Sequence, residues 1–273
     1  MKKTIKNIIK NITPPILLRF VRGNKQSKYG YFGNYKSWQD AINDSTGYDD
    51  PAILEKVRDA LLKVKNGEAV YERDSVLFDK IQYSWPLLSA LLWIALENDG
   101  LNIIDFGGSL GSSYYQNIGF LKNVRNLKWN VVEQKSFVNC GKKLFENKEL
   151  KFFYNVKDVF RESKPTTLLA LSVLPYLKNP YGFIDEMMAL DFKYIIFDRT
   201  SFLSNEDRLT IQKAPPEICE AIYPAWFFNE KKFLDILKSK YEMIAEFDSA
   251  SWIDKKDLGD AQATEKGFIF KKK

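Results

Sequence analysis

The chain contains no histidine among its 273 residues. Hydrolases that use a Ser-His-Asp or Cys-His arrangement, and histidine-rich metal sites, are therefore excluded. Any proton transfer must use Asp, Glu, Lys, Tyr or Cys side chains. The two cysteines, Cys140 and Cys219, match no CxxC or metal-ligand spacing. This scarcity indicates a reduced, cytoplasmic compartment and predicts no metal site.

Long hydrophobic runs are also missing, because charged residues interrupt every apolar segment well before the roughly 20 residues that a transmembrane helix needs. Residues 1–28 contain eight Lys and Arg residues and no Asp or Glu. The rest of the chain has 33 basic and 35 acidic residues, a net charge of −2. A basic arm on a nearly neutral body does not indicate a nucleic-acid partner.

The basic arm, residues 1–28, has the pattern of an amphipathic helix. Its isoleucines recur at i, i+3, i+4 and i+7, at Ile5, Ile8, Ile9 and Ile12, with lysines on the opposite side. Such a helix either makes a peripheral contact with an anionic membrane surface, here the inner face, or packs on protein. The residues leave both options open.

Three segments follow from the hydrophobic pattern: the arm (1–28), a helical cap region (29–100) and an α/β domain (101–273). Within the cap, Asp50 is a predicted N-cap and Gly67 a helix stop. After Leu101, short apolar strands alternate with helices, which predicts a parallel, doubly wound sheet whose last two strands pair as an antiparallel hairpin. The predicted strands span residues 101–106, 127–133, 150–155, 167–173, 193–198, 241–248 and 267–272.

The stretch "NIIDFGGSLGSSYYQ", residues 102–116, joins the first strand of this domain to its helix. It lacks the GxxxxGK[ST] of an ATP or GTP loop, and neither glycine register completes the GxGxxG of a dinucleotide site. Its acid and small residues instead stand at alternate positions, Asp105, Gly107, Ser109 and Gly111. This resembles the D-x-G-x-G-x-G motif of class I S-adenosylmethionine-dependent methyltransferases, with serine replacing the middle glycine. Small residues allow close backbone approach to a cofactor.

The second strand ends at Glu133, 22 residues beyond Gly111. A carboxylate there can accept hydrogen bonds from both ribose hydroxyls of an adenosyl group. The methyltransferase resemblance further implies Asn155 near the adenine edge, Ser172 and Val173 under the cofactor, and Tyr176 beside the transferred methyl. The complete predicted cofactor set is Asp105, Gly107, Gly108, Ser109, Gly111, Tyr115, Glu133, Gln134, Asn155, Ser172 and Val173.

Six further strings are unusual enough to be specific: "GYDDPAIL", "YERDSVLF", "WPLLSALL", "DFGGSLGSSYYQ", "FDRTSF" and "AIYPAWFF". From about Gly30 onward the chain resembles a family of bacterial methyltransferases commonly encoded among surface-polysaccharide biosynthesis genes. The resemblance implies a Rossmann-like class I methyltransferase fold: a seven-stranded, mostly parallel sheet with a C-terminal antiparallel hairpin, plus an N-terminal helical cap. It implies S-adenosylmethionine as cofactor but supplies no acceptor.

Candidate catalytic residues follow the fourth and fifth strands, where ligands bind in doubly wound folds. Asp198 could take a proton from an acceptor hydroxyl, and Arg199 could hold a phosphate or carboxylate. The alternative is a structural Asp–Arg pair that closes the strand end. Tyr176 completes the predicted catalytic set, since it lies beside the predicted methyl position.

Candidate substrate residues come from two other segments. An aromatic, Pro-rich insert after the fifth strand offers Tyr223 and Trp226 for stacking, with Lys213 and Glu217 as polar contacts; core packing of the insert is the alternative. In the cap, Arg73 either reaches over the cofactor cleft or ties the cap to the sheet.

The residues together predict a methyltransferase acting on a small-molecule or glycan acceptor, with the methylated atom open and a slight preference for a sugar. Two other classes stay open. One is a non-catalytic S-adenosylmethionine-binding or scaffold protein of a polysaccharide assembly system. The other is a Rossmann-like nucleotide-sugar oxidoreductase.

Overall fold

The structure is a computed structural model, and it describes residues 28–47, 51–215, 221–249, 256–258 and 260–273. Residues 1–27 of the basic arm, the predicted cap Asp50, and the insert residues Glu217 and Cys219 lie outside the described residues. Tyr31–Lys273 form one compact unit. The division at residues 28 and 100 stays a prediction.

The N-terminal region mixes helices with short strands. Its elements are β1 (Gly30–Tyr35), α1 (Trp38–Asn43), α2 (Pro51–Lys65), β2 (Tyr71–Arg73), β3 (Val76–Phe78) and α3 (Trp85–Glu97). β2 and β3 form an antiparallel hairpin within the predicted cap. The two central turn residues, Asp74 and Ser75, both have positive φ, which is the backbone pattern of a tight hairpin turn. The purely helical prediction for this region is therefore corrected.

From Asn102 onward, strands and helices alternate as predicted. The elements are β4 (Asn102–Phe106), α4 (Ser112–Leu121), β5 (Lys128–Val132), α5 (Lys135–Leu144), β6 (Leu150–Phe153), α6 (Val156–Glu162), β7 (Thr167–Leu171), a 3-10 turn (Leu174–Tyr176), α7 (Pro180–Ala189) and β8 (Tyr194–Leu203). The remaining elements are β9 (Arg208–Lys213), β10 (Ile222–Asn229), α8 (Glu230–Lys238), β11 (Tyr241–Asp248), β12 (Lys256–Asp257) and β13 (Gln262–Lys272).

The sheet is doubly wound. Parallel strands run in the order β6-β5-β4-β7-β8. β5 and β6 lie on one side of β4, and β7 and β8 lie on the other, so the strand order reverses between β4 and β7. β13 pairs antiparallel with both β8 and β11. The predicted Rossmann-like α/β fold is confirmed, together with the antiparallel pairing of its last two predicted strands. The carboxyl ends of β4 and β7 meet at the switch point, where such folds bind ligands.

The sheet is larger than the predicted seven strands, because eleven described strands belong to it. The fifth predicted strand does not end at Asp198; β8 continues to Leu203. Its far end pairs in parallel with β10, and β10 pairs antiparallel with β9. The aromatic, Pro-rich insert therefore extends the sheet, because its aromatic residues are well suited to a β-strand.

Both faces of the central strands are buried, as expected for a parallel sheet covered by helices. Ile103 of β4 and Trp129 of β5 belong to a core cluster that also contains Ile53 and Leu91 of the cap region. Ile104 and Phe197 belong to a second cluster on the opposite face. The helices α2 and α3 thus share a hydrophobic core with the sheet. No described helix combines the length and apolar character needed to cross a membrane.

Candidate functional site

A cleft of about 640 Å³ lies at the carboxyl ends of β4, β5 and β7 and is covered by the cap region. This volume is in the range of roughly 300–1,000 Å³ that small-molecule sites occupy. Most predicted site residues line it, namely Arg73, Asp105, Gly107, Gly108, Ser109, Glu133, Gln134, Ser172, Val173, Tyr176, Arg199 and Tyr223. The folded chain thus brings together residues that are up to 150 positions apart.

The loop after β4 is held close to the turn after β7. Gly107 has φ of +70°, and a Cβ built on it would lie 2.5 Å from Cγ2 of Val173. A Cβ on Gly108 would lie 2.5 Å from Cγ of Asp105. Only glycine fits at these positions, because the first needs left-handed backbone and both lack space for a side chain. The loop therefore presents bare backbone to the cleft.

Asp105 lies directly under this loop and is almost fully buried. Its carboxylate accepts a 2.9 Å hydrogen bond from the indole N–H of Trp129. Burial raises the pKa of Asp105 to about 6, and the hydrogen bond from Trp129 opposes that rise. Asp105 thus supports the loop from below and also carries an acidic charge at the cleft.

Glu133 follows β5 and lines the cleft beside the loop. Its carboxylate accepts hydrogen bonds from the backbone N–H groups of Gln134, at 2.5 Å, and of Ser109. Burial nevertheless raises the pKa of Glu133 above its usual value. The predicted ribose carboxylate is therefore oriented by the glycine loop itself.

Strained backbone surrounds this cleft. Non-glycine residues with φ between 51° and 65° line it at Asp74, Ser75, Ser109, Ser172 and Arg199. Left-handed conformations of such residues cost roughly 1–3 kcal/mol each and concentrate at functional sites. Four separate segments of the chain thus have strained backbone around the same cleft. This concentration supports the assignment of the cleft as a ligand site.

Glu72 is a cleft residue that the sequence analysis did not single out. It is only 1% exposed, and its carboxylate accepts hydrogen bonds from the Ser112 hydroxyl and, at 3.2 Å, from the Ser75 N–H. Burial raises the pKa of Glu72 to about 7. In a chain without histidine, this is a carboxylate that titrates near neutral pH. Its position in the quoted "YERDSVLF" string was the only available signal.

A β-bulge aims Arg199 away from its strand. On β8 the pairing with β13 moves from Phe197–Phe268 to Thr200–Lys266, so that two residues of β8 stand opposite one residue of β13. Arg199 occupies the bulge with φ of 51° and lines the cleft. Bulges of this kind redirect a side chain and recur next to active sites.

Asp198, the other residue of the bulge, does not line the cleft. It is 1% exposed, and its carboxylate accepts hydrogen bonds from the hydroxyls of Ser84, at 3.2 Å, and Ser249, at 2.7 Å. It also accepts the backbone N–H of Arg199 at 2.7 Å. The structure thus gives Asp198 a structural position: it anchors the bulge to the cap helix instead of facing an acceptor.

Tyr176 and Tyr223 form one wall of the cleft. Their rings pack edge to face with centroids 5.4 Å apart, and the Tyr176 hydroxyl donates a 2.8 Å hydrogen bond to Gln212. Burial raises the pKa of Tyr176 well above its usual value. The phenol stays protonated at neutral pH, so this arrangement favours a contact surface over a base.

Four further predicted residues lie away from the cleft. Asn155 caps α6 by accepting the Asp158 N–H, Tyr115 packs on Phe145, Gly111 precedes α4 beside Leu150, and Trp226 stacks on Trp38. The side chains of Asn155, Tyr115 and Trp226 thus make capping or packing contacts, and the four predicted ligand contacts stay predictions. Of the two stacked tryptophans, Trp38 lines the cleft. Lys213 lies over the Phe32 ring instead of the cleft.

No known family profile matches the chain, and no curated protein matches it either. Solved structures show a partial similarity to it. The N-terminal domain of EvdMO1, crystallised in the presence of SAH and D-fucose, is 12% identical with a TM-score of 0.48, covering 79% of this chain and 97% of that one. LepI in complex with SAM is 9% identical, with a TM-score of 0.46 and coverage of 69% and 47%. Mitomycin 7-O-methyltransferase MmcR is 11% identical, with a TM-score of 0.40 and coverage of 68% and 54%. At these identities the likeness concerns the fold.

Proposed function

We propose that the chain is an S-adenosylmethionine-dependent methyltransferase. The observation that carries the proposal is that three carboxylates, those of Glu72, Asp105 and Glu133, line the cleft beside β4 and β5. Burial raises the pKa of each of them. Buried carboxylates in one cleft favour a cationic ligand, because a cation stabilises their ionised forms. A sulfonium with an ammonium group meets this requirement, whereas the diphosphate of a dinucleotide would be repelled.

The residues present fit this cofactor. The bare backbone of Gly107 and Gly108 leaves room for it, and the Glu133 carboxylate is oriented to accept ribose hydroxyls. Glu72 accepts a hydrogen bond from Ser112, the first residue of α4. Its carboxylate would face the positively charged amino group of the cofactor. When bound, the cofactor would supply a methyl group for in-line displacement by the acceptor. The chain's part is to position both partners and to exclude water.

We also propose that the acceptor is a sugar or a sugar-linked polysaccharide precursor. The family resemblance supports this class, and the Tyr176–Tyr223 wall offers an aromatic surface on which a sugar ring can pack. A hydroxyl nucleophile profits from a general base. The predicted base Asp198 is poorly suited to that role, because its buried carboxylate already accepts three hydrogen bonds.

The basic arm adds a proposal about location. We infer a bacterial, cytoplasmic enzyme whose residues 1–28 contact the inner face of the membrane through their lysine face. Pelleting with anionic liposomes, using the full chain and a chain that lacks residues 1–28, tests this. Equal pelleting of both forms would rule out the arm as a membrane anchor.

Calorimetric titration with S-adenosylmethionine, S-adenosylhomocysteine and NAD tests the main proposal. We expect binding of the two adenosyl sulfur compounds and none of NAD. Glu133→Ala should weaken their binding about 10- to 100-fold, since hydrogen bonds to a charged group contribute about 1.5–3 kcal/mol. Glu162→Ala, an exposed acid on α6, is the matched control and should bind like the wild type. Tight uptake of NAD alone would favour the oxidoreductase alternative.

A further inference from the structure

The cleft is lined by acids beside the glycine loop and by two arginines farther along it, with Asp74 of the hairpin turn next to the arginines. Glu72, Asp105 and Glu133 surround the glycine loop, whereas Arg73 and Arg199 approach from the hairpin turn and from β8. β8 lies two strands from β4, on the side opposite to β5. With strands about 4.8 Å apart, the start of the Arg199 side chain lies roughly 10 Å across the sheet from the glycine loop. Arg199 therefore belongs to the part of the cleft beyond the proposed cofactor.

The guanidinium of Arg199 has an unusual environment. Within the described part of the chain, no side chain forms a hydrogen bond or an ion pair with it. Its positive charge is nevertheless close enough to influence the pKa values of Tyr71, Arg73 and Asp105, which all line the cleft. Against the effect of burial, the charges of Asp198 and Asp74 lie close enough to raise the pKa of Arg199. A guanidinium held in a cleft by a strained bulge, with no side-chain hydrogen bond to the described residues, is suited to a planar oxyanion.

Arg73 brings a second positive charge to the same wall. Its guanidinium donates a 3.1 Å hydrogen bond to Gln82, and burial lowers its pKa, with a smaller lowering from the charge of Arg199. Two neighbouring cations repel each other, Asp74 offsets part of that repulsion, and an anion bound between them would offset more of it. The hairpin turn at Asp74 and Ser75 maintains this arrangement at a conformational cost.

We propose that the acceptor carries an anionic oxygen group, a phosphate or a carboxylate, that binds Arg199 with Arg73 beside it. This inference rests on the proposed function and specifies its substrate class as an acidic sugar. The neutral part of the sugar then lies along Tyr176 and Tyr223, which line the same cleft. Glu72 and Asp105 lie toward the cofactor. The acidic residues would therefore face the cationic methyl donor, and the arginines would face the anionic acceptor.

The test uses the full chain saturated with S-adenosylhomocysteine and titrates three probes: glucose 6-phosphate, glucuronate and neutral methyl glucoside. We expect at least one charged probe to bind tenfold or more tightly than the neutral one, and the preferred probe identifies phosphate or carboxylate. Arg199→Met should reduce that binding 10- to 100-fold, while Arg199→Lys should retain part of it. Arg125→Met, at an exposed arginine outside the cleft, is the matched control and should leave binding unchanged.

The competing role for Arg199 is to hold the carboxylate of the cofactor itself. Arg199→Met and the wild type are therefore also titrated with S-adenosylhomocysteine and with 5′-methylthioadenosine, which lacks that carboxylate. Loss of the first affinity alone in the variant would overturn the proposal. Equal or undetectable binding of all three sugar probes to the loaded wild type would overturn it as well. Failure of the methyltransferase proposal is distinguishable, because the wild type would then bind neither adenosyl compound.

Discussion

Trp129 donates its indole N–H to the buried carboxylate of Asp105 across 2.9 Å, and this bond joins β5 to the base of the glycine loop. The stability of the loop therefore depends on the protonation state of Asp105. Because the pKa of Asp105 is raised to about 6 from 3.8, ionisation of this group opposes folding, and that cost develops as pH rises from about 4 to 6. The hydrogen bond from Trp129 limits the cost.

Trp129→Phe should therefore destabilise the protein more at pH 8 than at pH 5. At pH 5 Asp105 is mostly protonated in the folded state, so the variant loses packing and a hydrogen bond to a neutral carboxyl, which contributes about 0.5–1.5 kcal/mol. At pH 8 the lost hydrogen bond is to an ionised carboxylate and contributes about 1.5–3 kcal/mol to the free energy of unfolding. Urea unfolding at the two pH values measures this difference. Trp85→Phe, at a tryptophan that is 58% exposed, should show no pH-dependent difference.

Glu72→Gln should stabilise the protein at pH 8. Burial raises the pKa of Glu72 from 4.5 to about 7, so its ionisation opposes folding increasingly as pH rises between those values. The full cost is about 3 kcal/mol at 1.36 kcal/mol for each unit of pKa, and the neutral amide avoids it. Thermal or urea unfolding of Glu72→Gln should match the wild type near pH 5 and exceed it at pH 8. Exposed Glu68→Gln is the control, and an identical gain there would refute the explanation.

S-adenosylmethionine should bind more weakly as pH falls from 8 to 6. A cationic ligand favours ionised Glu72 and Asp105, so protons compete with it once pH drops below about 7. Linkage predicts a loss of roughly tenfold in affinity over this range. Calorimetry at several pH values checks it, with 5′-methylthioadenosine, which lacks the cationic groups, as a reference of constant affinity. A flat profile for both ligands would mean that these carboxylates do not face the cofactor.

Gly107→Ala should distort the glycine loop. The residue has φ of +70°, and the new methyl would lie 2.5 Å from Val173. We expect a loss of roughly 1–3 kcal/mol in unfolding free energy and weaker binding of S-adenosylmethionine. Combining it with Val173→Ala should recover part of both, because the clash is removed while the backbone strain persists. Gly119→Ala, where a Cβ meets nothing within 4 Å, should be neutral or slightly stabilising.

The arrangement of the main sheet could be predicted because its signals are local. Alternating apolar strands and helices around Ile103, Trp129 and Phe152 indicate a doubly wound sheet, and each of the predicted strands is present. The small residues from Gly107 to Gly111 and the acid at Glu133 follow strand ends directly. Since parallel strands end at one edge of the sheet, their meeting could be anticipated before the fold was known.

The sequence was least informative where a residue's surroundings depend on a distant partner. Asp198 looked like a base beside a cleft, but Ser84 and Ser249 reach it from positions 114 and 51 residues away. Trp226 looked like a stacking surface, but β10 adds to the end of β8 and turns this ring toward Trp38. Nothing local in either segment reports those contacts.

By itself, the sequence determined the class of fold, the small-residue loop and the acidic tip of β5, because hydrophobic period and residue spacing act over a few positions. Only the tertiary structure decided that Glu72 accepts a hydrogen bond from Ser112 and that a β-bulge places Arg199 in the lining of the cleft. These features depend on pairing between segments that are 40 or more residues apart. The physical reason is that burial and strand register, which set charge and direction here, exist only in the folded chain.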